Sequence, residues 1–75
     1  MKKLYFVNFN EEYEFVCDIA DDDDFQIVVS KALKDLRRRY PKFKSYYQRY
    51  WEDDEGSTWI DYGSHCQFYV LKTES

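Results

Sequence analysis

Residues 24–40 read DFQIVVSKALKDLRRRY, and Pro41 follows. Phe25, Val28, Val29, Ala32, Leu33, Leu36 and Tyr40 recur at spacings of three and four, which places them on one stripe of an α-helix. Asp24, or Asp23 beside it, suits the N-cap, because its carboxylate accepts from the orphan N–H groups of the first turn and complements the positive end of the helix dipole. Arg37, Arg38 and Arg39 fall in the last turn, where cations suit the negative end. Pro41 has no N–H to donate and biases Tyr40 away from helical geometry, so the helix should stop at residue 39 or 40. An amphipathic helix needs an apolar surface to lie on, and the flanking sequence must supply it.

Strands flank it on both sides. Leu4-Tyr5-Phe6-Val7-Asn8-Phe9 is rich in β-branched and aromatic residues, and Asn10-Glu11-Glu12 is a polar turn. Residues 13–19 then alternate, with Tyr13, Phe15, Cys17 and Ile19 on one face and Glu14 and Asp18 on the other, which completes an antiparallel hairpin. After the helix, Phe43, Tyr46, Tyr47, Tyr50 and Trp51 fit the spacing of a second helix. The density of tyrosine and tryptophan, and the turn Asp53-Asp54-Glu55-Gly56, favour instead a strand over roughly 46–52. Thr58-Trp59-Ile60-Asp61-Tyr62 is a strand, Gly63-Ser64 a bulge or tight turn, and Gln67-Phe68-Tyr69-Val70-Leu71 the last strand. The expected fold is a single α+β domain over residues 1–75: a small antiparallel sheet, built from the N-terminal hairpin and the C-terminal strands, packed by one main helix. Its order is ββαβββ, with ββααββ as the alternative.

Seventy-five residues leave no room for a second core, and a chain this short buries only about 60% of its unfolded surface. With 44% hydrophobic and 21% aromatic residues it has enough apolar matter to fold. No uncharged run is long enough to span a bilayer and no signal-peptide pattern opens the chain, so neither a membrane protein nor a secreted precursor is expected. Cys17 and Cys66 are too few for a disulfide scaffold and read as free thiols in a reducing cytoplasm, with a single bridge between them as the alternative.

The net charge of −4 hides a segregation. Lys31, Lys34, Arg37, Arg38, Arg39, Lys42, Lys44 and Arg49 face a single acid, Asp35, over residues 31–49, for a local +7. The rest of the chain holds fourteen acids against Lys2, Lys3 and Lys72, for −11. Such asymmetry bears on partners rather than on fold.

No enzyme chemistry is legible. His65 is the only histidine and abuts Cys66, and neighbouring strand residues point to opposite faces, so the two make a poor dyad. Glycine occurs only at 56 and 63, which excludes a nucleophile elbow and a phosphate loop. One histidine and two distant cysteines have no metal-ligand spacing, and residues 21–24 lack the glycine and closing glutamate of a calcium loop. No cofactor or metal is expected.

Binding remains. The acidic candidates are Asp21, Asp22 and Asp23 before the helix and Glu52, Asp53, Asp54 and Glu55 at a hairpin tip; carboxylates spaced like phosphates occupy a basic groove. The aromatic and basic candidates are Arg37, Arg38, Tyr46, Tyr47, Tyr50 and Trp51, a mixture that also suits nucleic acid, with arginine on phosphates and rings on bases. Eight tyrosines and two tryptophans exceed what so small a core encloses, so several rings must reach a surface where they act as interface anchors.

In size, in the clusters at 21–24 and 52–55, in its surplus of rings and in its lack of a catalytic motif, the chain resembles the small acidic proteins that phages and mobile elements make against host machinery, anti-CRISPR proteins among them. The resemblance implies a non-catalytic inhibitor in the host cytoplasm that occludes a nuclease or another nucleic-acid-binding protein, and it assigns no residue a role. The alternatives are a nucleic-acid-binding module using residues 31–49 and a homodimer or larger homo-oligomer paired through an edge strand.

Overall fold

The computed structural model describes residues 2–8, 10–44, 47–63 and 67–73. They form β1 (Lys2–Val7), β2 (Tyr13–Ile19), α1 (Phe25–Arg39), β3 (Arg49–Glu52), β4 (Thr58–Asp61) and β5 (Phe68–Thr73). The fold is α+β in the order ββαβββ, with all five strands in one antiparallel sheet of order β2-β1-β5-β4-β3. The last strand therefore lies in the middle. The stretch after α1 resolves as a strand over Arg49–Glu52, shorter than the expected 46–52: Tyr47 and Gln48 stand outside it, and Tyr46 lies outside the described residues.

The helix keeps its expected bounds. Asp24 sits in extended backbone and its Oδ1 accepts from the Ile27 N–H at 3.1 Å, while the Tyr40 N–H closes the last turn on the Leu36 carbonyl. Val28, Val29, Ala32 and Leu36 are buried against Leu4, Phe6, Ile19, Ile60, Tyr62, Tyr69 and Leu71. Tyr40, expected on this stripe, is 41% exposed, because it has left the helix and stands in the cap.

Two tyrosine hydroxyls lock α1 to the sheet. Tyr62 donates to the Val29 carbonyl at 2.7 Å and Tyr69 to Asp35 Oδ2 at 2.6 Å. Asp35, the one acid of the basic segment, is buried and also accepts from Arg38 (2.9 Å) and Arg39 (2.6 Å). Arg39 reaches on to Glu14 at 2.7 Å and lies over the Phe6 ring. Burial alone would raise the Asp35 carboxyl, but the hydrogen bonds from Tyr69, Arg39 and Arg38 outweigh it and hold the group below the usual range. Burial and the same carboxylate push the Tyr69 phenol far up.

The first hairpin departs from simple alternation. Leu4 pairs with Cys17 but Tyr5 pairs with Phe15, so Val16 is an extra residue and β2 is bulged. Tyr13 and Phe15 consequently point to the opposite face from Cys17 and Ile19, where unbroken alternation would put all four together. Glu14 lands on the helix-covered face, where it meets Arg39. The turn between the strands is held by Asn8, whose Oδ1 accepts from the Asn10 and Glu12 N–H groups, with Glu11 at φ 62°. Phe9, expected at the end of the first strand, lies outside the described residues.

Candidate functional site

α1 covers one face of the sheet, and register decides what stands on the other. Lys3, Tyr5 and Val7 of β1 share that face with Phe68, Val70 and Lys72 of β5, with Trp59 and Asp61 of β4, and with Arg49 and Trp51 of β3. The bulge adds Tyr13 and Phe15 of β2. Val7 and Val70 are 4% and 0% exposed although they stand on the face opposite α1, among these rings.

These rings form an unbroken network across the sheet. Tyr5 meets Phe15 and Tyr13 edge-on with centroids at 6.0 and 6.2 Å, and Tyr13 meets Trp59 at 6.3 Å. Trp59 stacks parallel to Trp51 at 6.5 Å, and Phe68 sets its edge to both indoles. Such geometries are the preferred ones for aromatic pairs and fix each ring against its neighbours. Yet Tyr13, Phe15 and Trp51 remain 46%, 51% and 41% exposed. Three cations border the rings: Lys72 lies 4.6 Å from the Tyr13 centroid, Lys3 5.8 Å from Phe15, and the Arg49 guanidinium 5.9 Å from Trp51.

Two carboxylates brace this face. Asp61 is 2% exposed and accepts from Arg49 (2.9 Å), the Tyr47 hydroxyl (3.3 Å) and the Gly63 N–H (2.8 Å). Burial pushes its carboxyl up, and these donors more than reverse the push. Asp53 accepts at Oδ2 from the Trp59 indole N–H at 2.8 Å and at Oδ1 from the Glu55 and Ser57 N–H groups. The hydrogen bond from Trp59, followed by those from Ser57 and Glu55, lowers its carboxyl. Gly56, at φ 79°, closes that hairpin tip.

The two acidic clusters reach the same end of the sheet. Ile19 pairs with Lys2, which pairs with Thr73, while Thr58 pairs with Leu71, so residues 21–24 and the tip at 53–57 both leave the sheet where β1 begins. Part of each cluster is engaged in local structure: Asp24 caps α1, Asp23 accepts from the Ala20 N–H and stands 3.9 Å from Lys31, and Asp53 holds its own hairpin. Asp21, Asp22, Glu52, Asp54 and Glu55 are exposed. The basic segment is divided in the same way. Arg37 and Arg38 are exposed at the far end of α1, Arg39 is sunk between Asp35 and Glu14, and Arg49 belongs to the open face.

Of the aromatic candidates, Trp51 is a member of the ring network, Tyr47 flanks it, and Tyr50 points to the other face, against Phe25 of α1 at 4.8 Å. Tyr46, His65 and Cys66 lie outside the described residues. Cys17 carries a free thiol on the helix-covered face, raised chiefly by burial. Among the described residues no group of three His, Cys, Asp or Glu side chains stands close enough to hold a metal ion, and no helix is long and apolar enough to cross a membrane.

Tyr5, Tyr13, Phe15, Trp59, Phe68, Lys3 and Lys72 were not legible as a surface from the clusters alone. A signal for them does exist in the sequence. Tyr5-Phe6-Val7 and Phe68-Tyr69-Val70-Leu71 are apolar at every position, as in strands covered on both faces, and the chain offers one helix. Compared with known proteins, the chain matches no family model, no curated protein and no solved structure.

Proposed function

We propose that the chain is a non-catalytic binding protein that works by covering part of another protein's surface, with the open aromatic face as the contact. The observation that carries this reading is the network of six rings, from Phe15 to Trp51, on a sheet face that no described element of the chain covers. Tyrosine, tryptophan and arginine dominate the energetics of protein interfaces. Rings already fixed against one another lose little freedom on binding, which favours a tight contact from a small area.

The charges favour a protein over a nucleic acid as the partner. Arg49 is neutralised by Asp61, Asp18 stands opposite Lys3, and the whole chain carries −4, whereas nucleic-acid affinity grows with each phosphate that a cation neutralises. A narrower form of the same reading is an anti-defence inhibitor of the phage type, acting in the cytoplasm on a nuclease or another protein with a basic groove. Its support is the placement of both acidic clusters at one end of the sheet, with Asp22, Glu52, Asp54 and Glu55 exposed there.

The test is a nuclease-treated pull-down from host lysate, comparing the parent chain with Phe15→Ser/Trp51→Ser. Both rings are about half exposed, so the fold should survive, as circular dichroism will show. A discrete protein held by the parent and lost by the variant supports the reading. Recovery abolished by nuclease moves the assignment to nucleic acid, and equal recovery by both chains removes the open face from the function.

A further inference from the structure

The two edges of the sheet are not alike. β2 is kinked by its bulge at Val16, a device that discourages another strand from pairing there. β3, at the other edge, is regular, pairs with β4 on one side, and has no described strand on its outer side. Beside it lies a shallow cleft of about 270 Å³ lined by Phe25, Tyr50, Trp51, Glu52 and Thr58. Its walls are mostly aromatic, and its one charge is the exposed carboxylate of Glu52.

We infer that the outer edge of β3 and this cleft receive an extended segment of the partner protein, added as a sixth strand, with an arginine or lysine side chain in the cleft. The inference rests on the protein-binding reading above and names the partner's chemistry. An added strand satisfies the outer backbone groups of β3, which no described strand pairs, and sends alternate side chains to its two faces. Those on the side of Tyr50 and Glu52 meet ring faces and a carboxylate, which together suit a cation. Those on the other side meet the exposed indole of Trp51, where the nearest guanidinium, Arg49, already has Asp61 as its carboxylate, so that side offers no free acid to a cation and suits an apolar residue. The occupant is therefore a strand in which basic and apolar residues alternate. Asp54 and Glu55, exposed at the adjoining tip, add a field of the right sign.

The test uses the whole protein and a short peptide alternating arginine and valine. Binding is followed by amide chemical shifts, against the same peptide N-methylated at alternate backbone amides and against a glutamate–valine peptide. The expected result is binding of the first peptide only, with the largest shifts at residues 49–52, and an affinity about tenfold weaker in Glu52→Gln. Equal binding of the N-methylated peptide means simple attraction between a cation and an acidic protein, and overturns the inference. So does a failure of the arginine peptide to bind at millimolar concentration, or a set of shifts that spares 49–52. In the pull-down, a partner lost by Phe15→Ser/Trp51→Ser but retained by Glu52→Gln with Tyr50→Ala leaves the open-face reading standing and sinks this one.

Discussion

Asp35 has a demanding position. It is a carboxylate buried within a helix stripe, and it survives there because Tyr69, Arg38 and Arg39 all donate to it. Such a group is costly when one partner is removed, so Tyr69→Phe should lower stability by about 1–3 kcal/mol, read from the urea midpoint. The pH dependence has a definite sign. Asp35 and Asp61 have folded values below their unfolded ones, so their stabilisation is complete above about pH 3.9 and is lost as pH falls through the depressed folded values. Tyr62 and Tyr69 are raised, chiefly by burial, so what they contribute is present below about pH 10 and is lost as pH rises. Urea midpoints from pH 2 to 11 should trace a plateau with two falling sides, and Asp35→Asn should flatten the acid side. An acid limb unchanged by that substitution would place the titrating group elsewhere. Asp35 could not be singled out from sequence, because one acid among eight bases reads equally well as a solvated ion pair.

At the scale of elements, the bounds of the helix were legible and the strands only partly so. Asp24, the arginine turn and Pro41 are local signals, and local signals set the helix ends. The bulge is different, since nothing in Tyr13-Glu14-Phe15-Val16-Cys17 announces an extra residue and only the pairing with β1 creates it. Deleting Val16 should keep Phe15 opposite Tyr5 and Cys17 opposite Leu4 while straightening the edge. The expected outcome is a folded chain that self-associates more than the parent in sedimentation. A monomer indistinguishable from the parent would show that the kink does not guard that edge. The second hairpin gives a sharper contrast. Asp53→Ser removes three hydrogen bonds and should loosen Trp59, visible as lost near-ultraviolet dichroism, whereas Asp54→Ser with Glu55→Ser should leave the spectrum intact. If both changes behave alike, the tip is not held by Asp53.

At the scale of the molecule, the sheet is built from two contiguous pieces of chain. β1 and β2 make one, β3, β4 and β5 the other, and the pairing of β1 with β5 is the seam between them. The strand order was not legible in the sequence because it is a matter of distant partners, whereas the element order follows from local pattern. The open aromatic face was hidden for the same reason, being assembled from all five strands and both halves. Central placement of β5 has a consequence for how the protein comes into being. Residues 68–73 leave the ribosome after everything they must join, so the hairpin and helix emerge with their apolar stripes bare and wait for them. At roughly 5–20 residues per second, that interval lasts seconds. Through it the apolar stripes stay uncovered, and the two pieces of the sheet join only once β5 has emerged between them.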